Sequence, residues 1–131
     1  MSGITDLDEL LRSMSPKLVE SEFVFCTVSG SLAEHVSLNP VATFIEQEGL
    51  TLVVERSIAE KMGLPFEGSY RQITLTVHSS LEAVGLTAAV TKKLASKNIS
   101  ANVIAAYYHD HIFVQSRKAQ DAVSALEEFK E

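Results

Sequence analysis

The chain has 131 residues, of which 46% are hydrophobic and 21% charged, and its 17 acidic and 11 basic residues give a formal charge of −6 at neutral pH. This length allows one domain or two very small ones, and the apolar content suffices to form the core of a compact, soluble protein. The acidic balance without a basic run argues against nucleic acid and anionic membranes as partners, and no apolar stretch approaches the ~20 residues of a membrane span.

The first residues predict a short amphipathic helix. Thr5-Asp6 offers an N-cap with further acids in the first turn. Its apolar face consists of Leu7, Leu10 and Leu11. Because Met1–Met14 carries acids instead of a basic and apolar leader, we expect a cytoplasmic protein.

Phe23–Val28 predicts a strand that is buried on both faces, since both its odd-numbered and its even-numbered positions carry apolar residues. A Ser29-Gly30-Ser31 turn follows it. We interpret Cys26, which lies within this run, as a small buried hydrophobe without an internal disulfide. The next segment, Ser29–Pro40, is too polar and too short to hold much helix.

Two β-rich runs, Val41–Glu46 and Thr51–Glu55, predict an antiparallel hairpin. Between them, Gly49 is expected to supply the positive φ of a tight turn. Arg56–Met62 has apolar residues at helical spacing and stops at Gly63, so we expect a helix of two turns.

The second half opens on the clearest strand, Arg71–His78, whose strict alternation puts Ile73, Leu75 and Val77 on one face. A continuous apolar face then predicts the one long helix. The remaining elements follow in the order long helix, strand, turn, strand and closing helix: Ser80–Lys97, Ile99–Tyr108, His109-Asp110, His111–Gln115 and Lys118–Phe129.

The two halves resemble a repeat. Placing Leu52-Val53-Val54 on Ile112-Phe113-Val114 also brings Ala59 onto Ala119 without a gap. We therefore predict an α+β fold of two ferredoxin-like units with antiparallel sheets, the first unit lacking its first helix. The predicted boundaries are 1–18 for an N-terminal helical segment, 19–68 for the first unit and 69–131 for the second.

The passage from His78 to Val90, together with Ile99–Ile104, resembles an ACT domain. Such domains have a polar loop after the first strand, a glycine opening the first helix, here Gly85, and an entry into the second strand like Asn98-Ile99. The likeness extends from about Val19 to the end and is closest to small bacterial proteins made of two ACT-like units. The first unit departs from it by lacking the helix and its glycine.

This resemblance implies a non-catalytic, regulatory module that binds a small molecule, most often an amino acid, with no cofactor. ACT domains commonly hold the ligand at the loop between strand one and helix one, against a strand from a neighbouring unit. A glycine there lets the backbone approach a ligand, and free helix amides attract a carboxylate. The residues assigned to this loop and strand are Ser79, Ser80, Val84, Gly85 and Asn102.

Ferredoxin-like topology brings the end of strand one beside the hairpin and so predicts a polar edge that adds His78, His109, Asp110 and His111 to the ligand-binding residues. One alternative function is a metal-binding protein or metal-dependent enzyme that uses His78, His109 and His111. Another interpretation makes these residues structural hydrogen-bonding groups. A serine triad is disfavoured, since no glycine-framed elbow exposes Ser79 or Ser80.

Strands with apolar residues on both faces, such as Phe23–Val28, need cover on the side that the helices leave open. We expect both the other unit and a second copy of the chain to provide it, and hence a homodimer. An oligomerisation module without any ligand is the remaining alternative function.

Overall fold

The computed structural model describes residues 6–77 and 85–131. In chain order the helices and strands are α1 (Leu7–Ser13), β1 (Pro16–Val28), β2 (Ala42–Ile45), β3 (Leu50–Glu55), α2 (Arg56–Met62), β4 (Tyr70–Leu75), α3 (Leu86–Ser96), β5 (Asn102–Ala105), β6 (Asp110–Gln115) and α4 (Ala119–Glu127). Within these ranges no helix combines the length and apolar character needed to cross a membrane.

The described residues form two compact units. The first unit comprises residues 21–70, and the second comprises residues 6–20, 71–77 and 85–131, so that β1 gives residues to both. The predicted α+β class and antiparallel pairing are confirmed. The domain boundaries proposed from the sequence, at 19 and 69, stay a prediction.

In the first unit the strand order is β2-β3-β1. Both pairs are antiparallel, with Val24 opposite Val54 and Ala42 opposite Val53. Where the second unit has a long helix, the chain makes only two short 3-10 turns, Leu32–Glu34 and Val36–Leu38, as its polar composition predicts. The buried core of this unit contains Val24, Cys26, Leu38, Leu50, Leu52, Val54 and Ala59.

Gly49 corrects one expectation, because it does not adopt a positive φ. The hairpin is instead closed by reciprocal backbone bonds between Glu46 and Gly49, at 3.0 and 3.3 Å. A β-carbon on Gly49 would lie 2.8 Å from Oγ1 of Thr27, so close packing against the neighbouring strand explains the glycine. The left-handed glycine of this unit's helix is Gly63, with φ of 69°, which ends α2 as predicted.

In the second unit, β6 lies between β4 and β5, and the amide of Thr76 donates to Ser15 O, just before β1, at 2.9 Å. The predicted apolar alternation is confirmed, since Ile73, Leu75 and Val77 are all buried, although β4 ends at Leu75 and the predicted strand over Arg71–His78 is therefore shorter than expected. These three residues share a core with α3, α4 and α1, to which Leu10 of α1 and Met14, the residue after that helix, contribute side chains that are both 0% exposed. The amphipathic N-terminal helix is therefore part of the second unit's core.

The second hairpin turns earlier than predicted. The amide of Ala106 donates to the carbonyl of His109 at 3.1 Å, and the exposed rings of Tyr107 and Tyr108 form the tip. Asp110 is opposite Ala105 and is the first residue of β6. The predicted His109-Asp110 turn was wrong because strand pairing continues to Asp110.

The predicted repeat is confirmed in the hairpins. Every paired residue of the second hairpin has the number of its counterpart plus 60, as in Ala42–Val53 and Asn102–Phe113. Residues 51–60 and 111–120 also show the same sequence of buried, intermediate and exposed positions. The two hairpins therefore share one backbone and pairing pattern, and their side chains can be compared position by position.

Candidate functional site

His111 belongs to a compact polar group on one face of the second unit's sheet. Its Nδ1 lies 3.0 Å from Thr74 Oγ1 and 3.2 Å from Gln72 Nε2, and Gln72 Nε2 also donates to Thr74 Oγ1 at 3.2 Å. Alternation along β4 places Gln72 and Thr74 opposite the core residues Ile73 and Leu75. These two partners of His111 were not predicted from the sequence, although the alternation along β4 already placed them on the face opposite its apolar residues.

The partners of His111 determine where its proton resides. With the Gln72 amide oriented as in the structure, its nitrogen only donates, so Nδ1 of His111 accepts and Nε2 carries the proton. Burial, and secondarily the charge of His109, lowers the pKa of His111. The ring is therefore a neutral hydrogen-bonding group at neutral pH.

His109 connects the second hairpin to the residues that follow β4. Its Nδ1 lies 3.4 Å from the carbonyl oxygen of Val77. Because a carbonyl only accepts, His109 donates through Nδ1. The last described residue before position 78 is thus beside the hairpin, which is the adjacency that ferredoxin-like topology predicts.

Asp110 lies on the other face of the sheet from His111, since neighbouring strand residues point to opposite faces. It is on the same face of β6 as Ile112 and Val114, which are buried in the core beneath the helices. Burial raises the pKa of the Asp110 carboxyl, and the charges of His111 and His109 oppose this with smaller effects. Across residues 6–77 and 85–131, no hydrogen bond or ion pair holds this carboxylate.

The predicted polar edge is therefore not one continuous site, because its residues lie on opposite faces of the sheet. His111 contacts Gln72 and Thr74 on one face, whereas Asp110 is on the helix face. Among the described residues, no three His, Cys, Asp or Glu side chains could hold a metal ion. The predicted site residues His78, Ser79, Ser80 and Val84 lie outside the described residues.

Gly85 opens α3 in the left-handed conformation, with φ of 98° and no side-chain cap. The first bond of the helix is from the amide of Ala89 to the carbonyl of Gly85, at 2.9 Å. The amides of residues 86–88 precede it and have no acceptor within the helix. They form the type of helix start that attracts a carboxylate.

The glycine at position 85 is also needed by the N-terminal helix. A β-carbon there would lie 3.1 Å from Cδ2 of Leu7. Sequence analysis placed Leu7 on an apolar face without identifying what that face covers. It covers the entry to α3, so α1 forms one wall beside the candidate site.

Asn102, predicted to contribute from a strand, is the first residue of the edge strand β5. Its side chain is exposed, and its Nδ2 donates to the carbonyl of Phe113 at 3.2 Å. Phe113 is also its pairing partner across the hairpin. The side chain therefore bonds to its own hairpin.

The first unit has no comparable set of ionisable groups in its hairpin. At the positions of His109, Asp110 and His111 it carries Gly49, Leu50 and Thr51, of which Leu50 is 5% exposed. Thr51 Oγ1 donates to Glu46 Oε1 at 2.5 Å. At these three positions the first unit thus has no ionisable side chain, whereas the second unit has three.

The turn after the strand is also closed by the first unit's own side chains. Gly30 has φ of 95°, and a β-carbon on it would lie 2.6 Å from Oε2 of Glu34. Glu34 Oε1 lies 3.5 Å from both the amide and the hydroxyl of Ser31. His35 Nε2 donates to the carbonyl of Ser29 at 2.7 Å. A carboxylate of the chain itself thus occupies this turn.

Comparison with known families identifies the class of protein. Two family models, each described as an ACT domain, match residues 2–71 and 67–128. The chain belongs to the ACT-domain family and carries two ACT domains in tandem. Among curated proteins, none matches the chain.

Solved structures agree with this assignment. A Vibrio cholerae protein of unknown function, described as a possible transport protein, is 59% identical, with a TM-score of 0.90 over 99% of this chain and 100% of its own. An Agrobacterium tumefaciens protein is 12% identical, with a TM-score of 0.71 over 89% of each chain. The regulatory subunit of aspartate kinase from Thermus thermophilus is 8% identical, with a TM-score of 0.64 over 92% of this chain and 99% of its own. The last two show likeness of fold alone.

Proposed function

We propose that the protein is a non-catalytic regulatory module whose second unit binds an amino acid. ACT domains are regulatory modules that bind small molecules, and this chain consists of two of them. The observation that carries the proposal is the start of α3, where the N-cap residue is a left-handed glycine that offers the helix amides no side-chain cap. Such amides suit a carboxylate.

The proposed site lies in the second unit alone. The corresponding turn of the first unit already holds the carboxylate of Glu34 against Gly30 and Ser31. We propose that His78, Ser79, Ser80 and Val84 complete the site in the second unit, as the family resemblance implies.

A thermal-shift screen with the twenty L-amino acids and common divalent cations tests this function. A ligand that binds the native state raises the unfolding temperature by mass action. We expect at least one amino acid to raise it and the cations to leave it unchanged. A response to zinc alone would support the metal-binding alternative, and no response at all would leave the oligomerisation module.

A matched pair of proline variants tests the role of the α3 amides. Thr87→Pro removes the second amide of α3, and Ser57→Pro makes the same change at the second position of α2. Both residues are exposed, and proline is best tolerated in a helix's first turn. We expect Ser57→Pro to keep the ligand response and Thr87→Pro to lose it. Equal responses would contradict the assignment of the site.

We also propose that the protein is a homodimer formed through β2. This edge strand carries no charged residue, and its Phe44 and Ile45 are 69% and 82% exposed. An uncharged, apolar edge strand tends to pair with another strand, and a second copy supplies the same strand across a two-fold axis. By sedimentation we expect a dimer that Ile45→Lys dissociates, whereas Gln47→Lys at the exposed hairpin tip does not. A monomeric wild type would contradict this proposal.

A further inference from the structure

We propose that a groove at the C-terminal end of α3, in the second unit, binds a phosphate group. The groove has a volume of about 430 Å³, and its lining includes Asn98, Ile99, Ser100, Gln115, Arg117 and Lys118. We call it the basic groove. It lies at the opposite end of α3 from Gly85, so this inference is independent of the proposed amino acid site.

The charge of the basic groove is the first argument. Arg117 and Lys118 both carry a positive charge, and none of the described residues that line the groove is acidic. The stretch from Lys92 to Lys118 holds five of the 11 basic residues of the chain and one of its 17 acidic residues. A protein with a formal charge of −6 thus has a local positive surface, which attracts anions.

The contacts of the two cations leave most of their donors open. Lys118 Nζ donates to the carbonyl oxygen of Asn98 at 2.5 Å, which holds the ammonium group at the groove and uses only one of its N–H bonds. Arg117 is exposed, and no carboxylate within residues 6–77 and 85–131 forms an ion pair with it. Lys93 and Lys97 near the end of α3 differ, because both are paired with Glu128.

The comparison with the first unit shows that the fold does not require these charges. Arg117 and Lys118 occupy the positions of Ser57 and Ile58, with the same degrees of burial. Neutral side chains therefore suffice at the same junction between strand and helix. In the first unit this junction borders a groove that three glutamates line, so the corresponding surface there is acidic. The positive charge belongs to the second unit alone.

The donors of the basic groove suit a phosphate dianion. The guanidinium of Arg117 is a planar fork of N–H donors that binds two phosphate oxygens at once. The remaining N–H bonds of Lys118 and the hydroxyl of Ser100 supply further donors. Two positive charges match a dianion, whereas a carboxylate needs only one. The groove is larger than a phosphate ion, so it also has room for a small organic group that carries the phosphate.

A ¹H–¹⁵N NMR titration with inorganic phosphate tests the proposal at slightly alkaline pH, where phosphate is mainly a dianion. Sodium chloride at equal ionic strength controls for screening. The double variant Arg117→Ser, Lys118→Ile introduces the residues that the first unit carries. Its matched control, Lys92→Ser, Lys130→Ser, removes the same net charge from exposed positions outside the groove.

We expect phosphate to shift the amides of residues 98–100 and 115–118 of the wild type to saturation, and chloride to leave them unchanged. The control variant should bind phosphate like the wild type. The groove variant should bind it about tenfold more weakly, because charge-assisted hydrogen bonds are lost. Glycerol phosphate, titrated in the same way, should saturate the same amides if the phosphate is carried by an organic group, whereas binding of inorganic phosphate alone would identify the free ion as the ligand.

Two results would overturn the proposal. One is a chloride titration that shifts the same amides as phosphate does, and the other is equal phosphate affinity in the wild type and the groove variant. Either result would leave the amino acid proposal intact, because that site is tested at residues 85–88 with a different titrant.

Discussion

Leu50 and Asp110 occupy the same position in two hairpins of identical register, one buried in an apolar core and the other ionisable. The pair shows directly where the two ACT domains of this chain differ. Because the backbone is common to both, the difference lies in side-chain chemistry.

Asp110→Leu should stabilise the protein. The substitution restores the residue that the first hairpin carries, so a side chain that is now half-buried and charged becomes apolar. We expect a gain of about 1–2 kcal/mol in the free energy of unfolding, the scale of burying much of a leucine side chain. Urea denaturation measures it, with Asp121→Leu on exposed α4 as the control. A loss of stability in Asp110→Leu would mean that the carboxylate supports the fold.

The stabilisation by Asp110→Leu should also depend on pH. Burial raises the folded-state pKa of Asp110 above its ordinary value of 3.8, so the folded state binds the proton more tightly than the unfolded state. The cost of the ionised group is therefore greatest above the folded-state pKa and disappears as the pH falls through that pKa towards 3.8. The stability difference between variant and wild type should shrink over that window. A difference that is constant with pH would contradict the raised pKa.

His111 should be a neutral ring with its proton on Nε2. Long-range ¹H–¹⁵N NMR distinguishes the two tautomers, and His35, whose Nε2 donates to the carbonyl of Ser29, is an internal reference for the same tautomer. His109, which donates from Nδ1 to Val77, should show the opposite one. A proton on Nδ1 of His111 would mean that the Gln72 amide has the reverse orientation.

Acid should weaken the His111 network. Because the folded-state pKa of His111 is lowered from 6.5, its contribution to stability is present above that value and is lost as the pH falls through the folded-state pKa. Thr74→Val removes one of the bonds to the ring, so we expect a loss of about 1 kcal/mol at neutral pH. The loss should be smaller once the ring is protonated. Urea denaturation at several pH values measures both effects.

Gly85→Ala should destabilise the protein more than Gly63→Ala. Both glycines are left-handed, so each substitution costs about 1–2 kcal/mol in backbone strain. Nothing lies within 4 Å of a β-carbon at Gly63, whereas at Gly85 that atom would lie 3.1 Å from Leu7. The excess cost of Gly85→Ala should therefore disappear in a Leu7→Ala background. An excess that persists there would place its cause outside the contact with α1.

The thiol of Cys26 should be unreactive in the native protein. Its side chain is 4% exposed, and burial raises the pKa of its thiol, so little thiolate is available to react. A chromogenic disulfide reagent should label it only after urea unfolds the chain. Rapid labelling of the native state would contradict the packing of β1.

The sequence predicted those elements whose residues alternate or repeat within the element itself. The alternation of Ile73, Leu75 and Val77 predicted β4 and the buried residue that follows it, and the match of Ala59 to Ala119 identified the repeat. Contacts between segments that are distant in the sequence could not be predicted from such local patterns. The glycine at 49 is required by Thr27 on another strand, and Gly85 is approached by Leu7 from α1. Local turn rules also misplaced the second hairpin turn, because the pairing of Asp110 with Ala105 prevails over the turn preference of aspartate.

A ¹H–¹⁵N NMR titration tests most directly our proposal that the second ACT domain alone binds an amino acid. The titrant is whichever amino acid gives the largest thermal shift. We expect shifts centred on the amides of residues 85–88 and 109–111 that saturate at one equivalent per chain, with residues 30–35 unchanged. Shifts centred on residues 30–35, or saturation at two equivalents per chain, would contradict it.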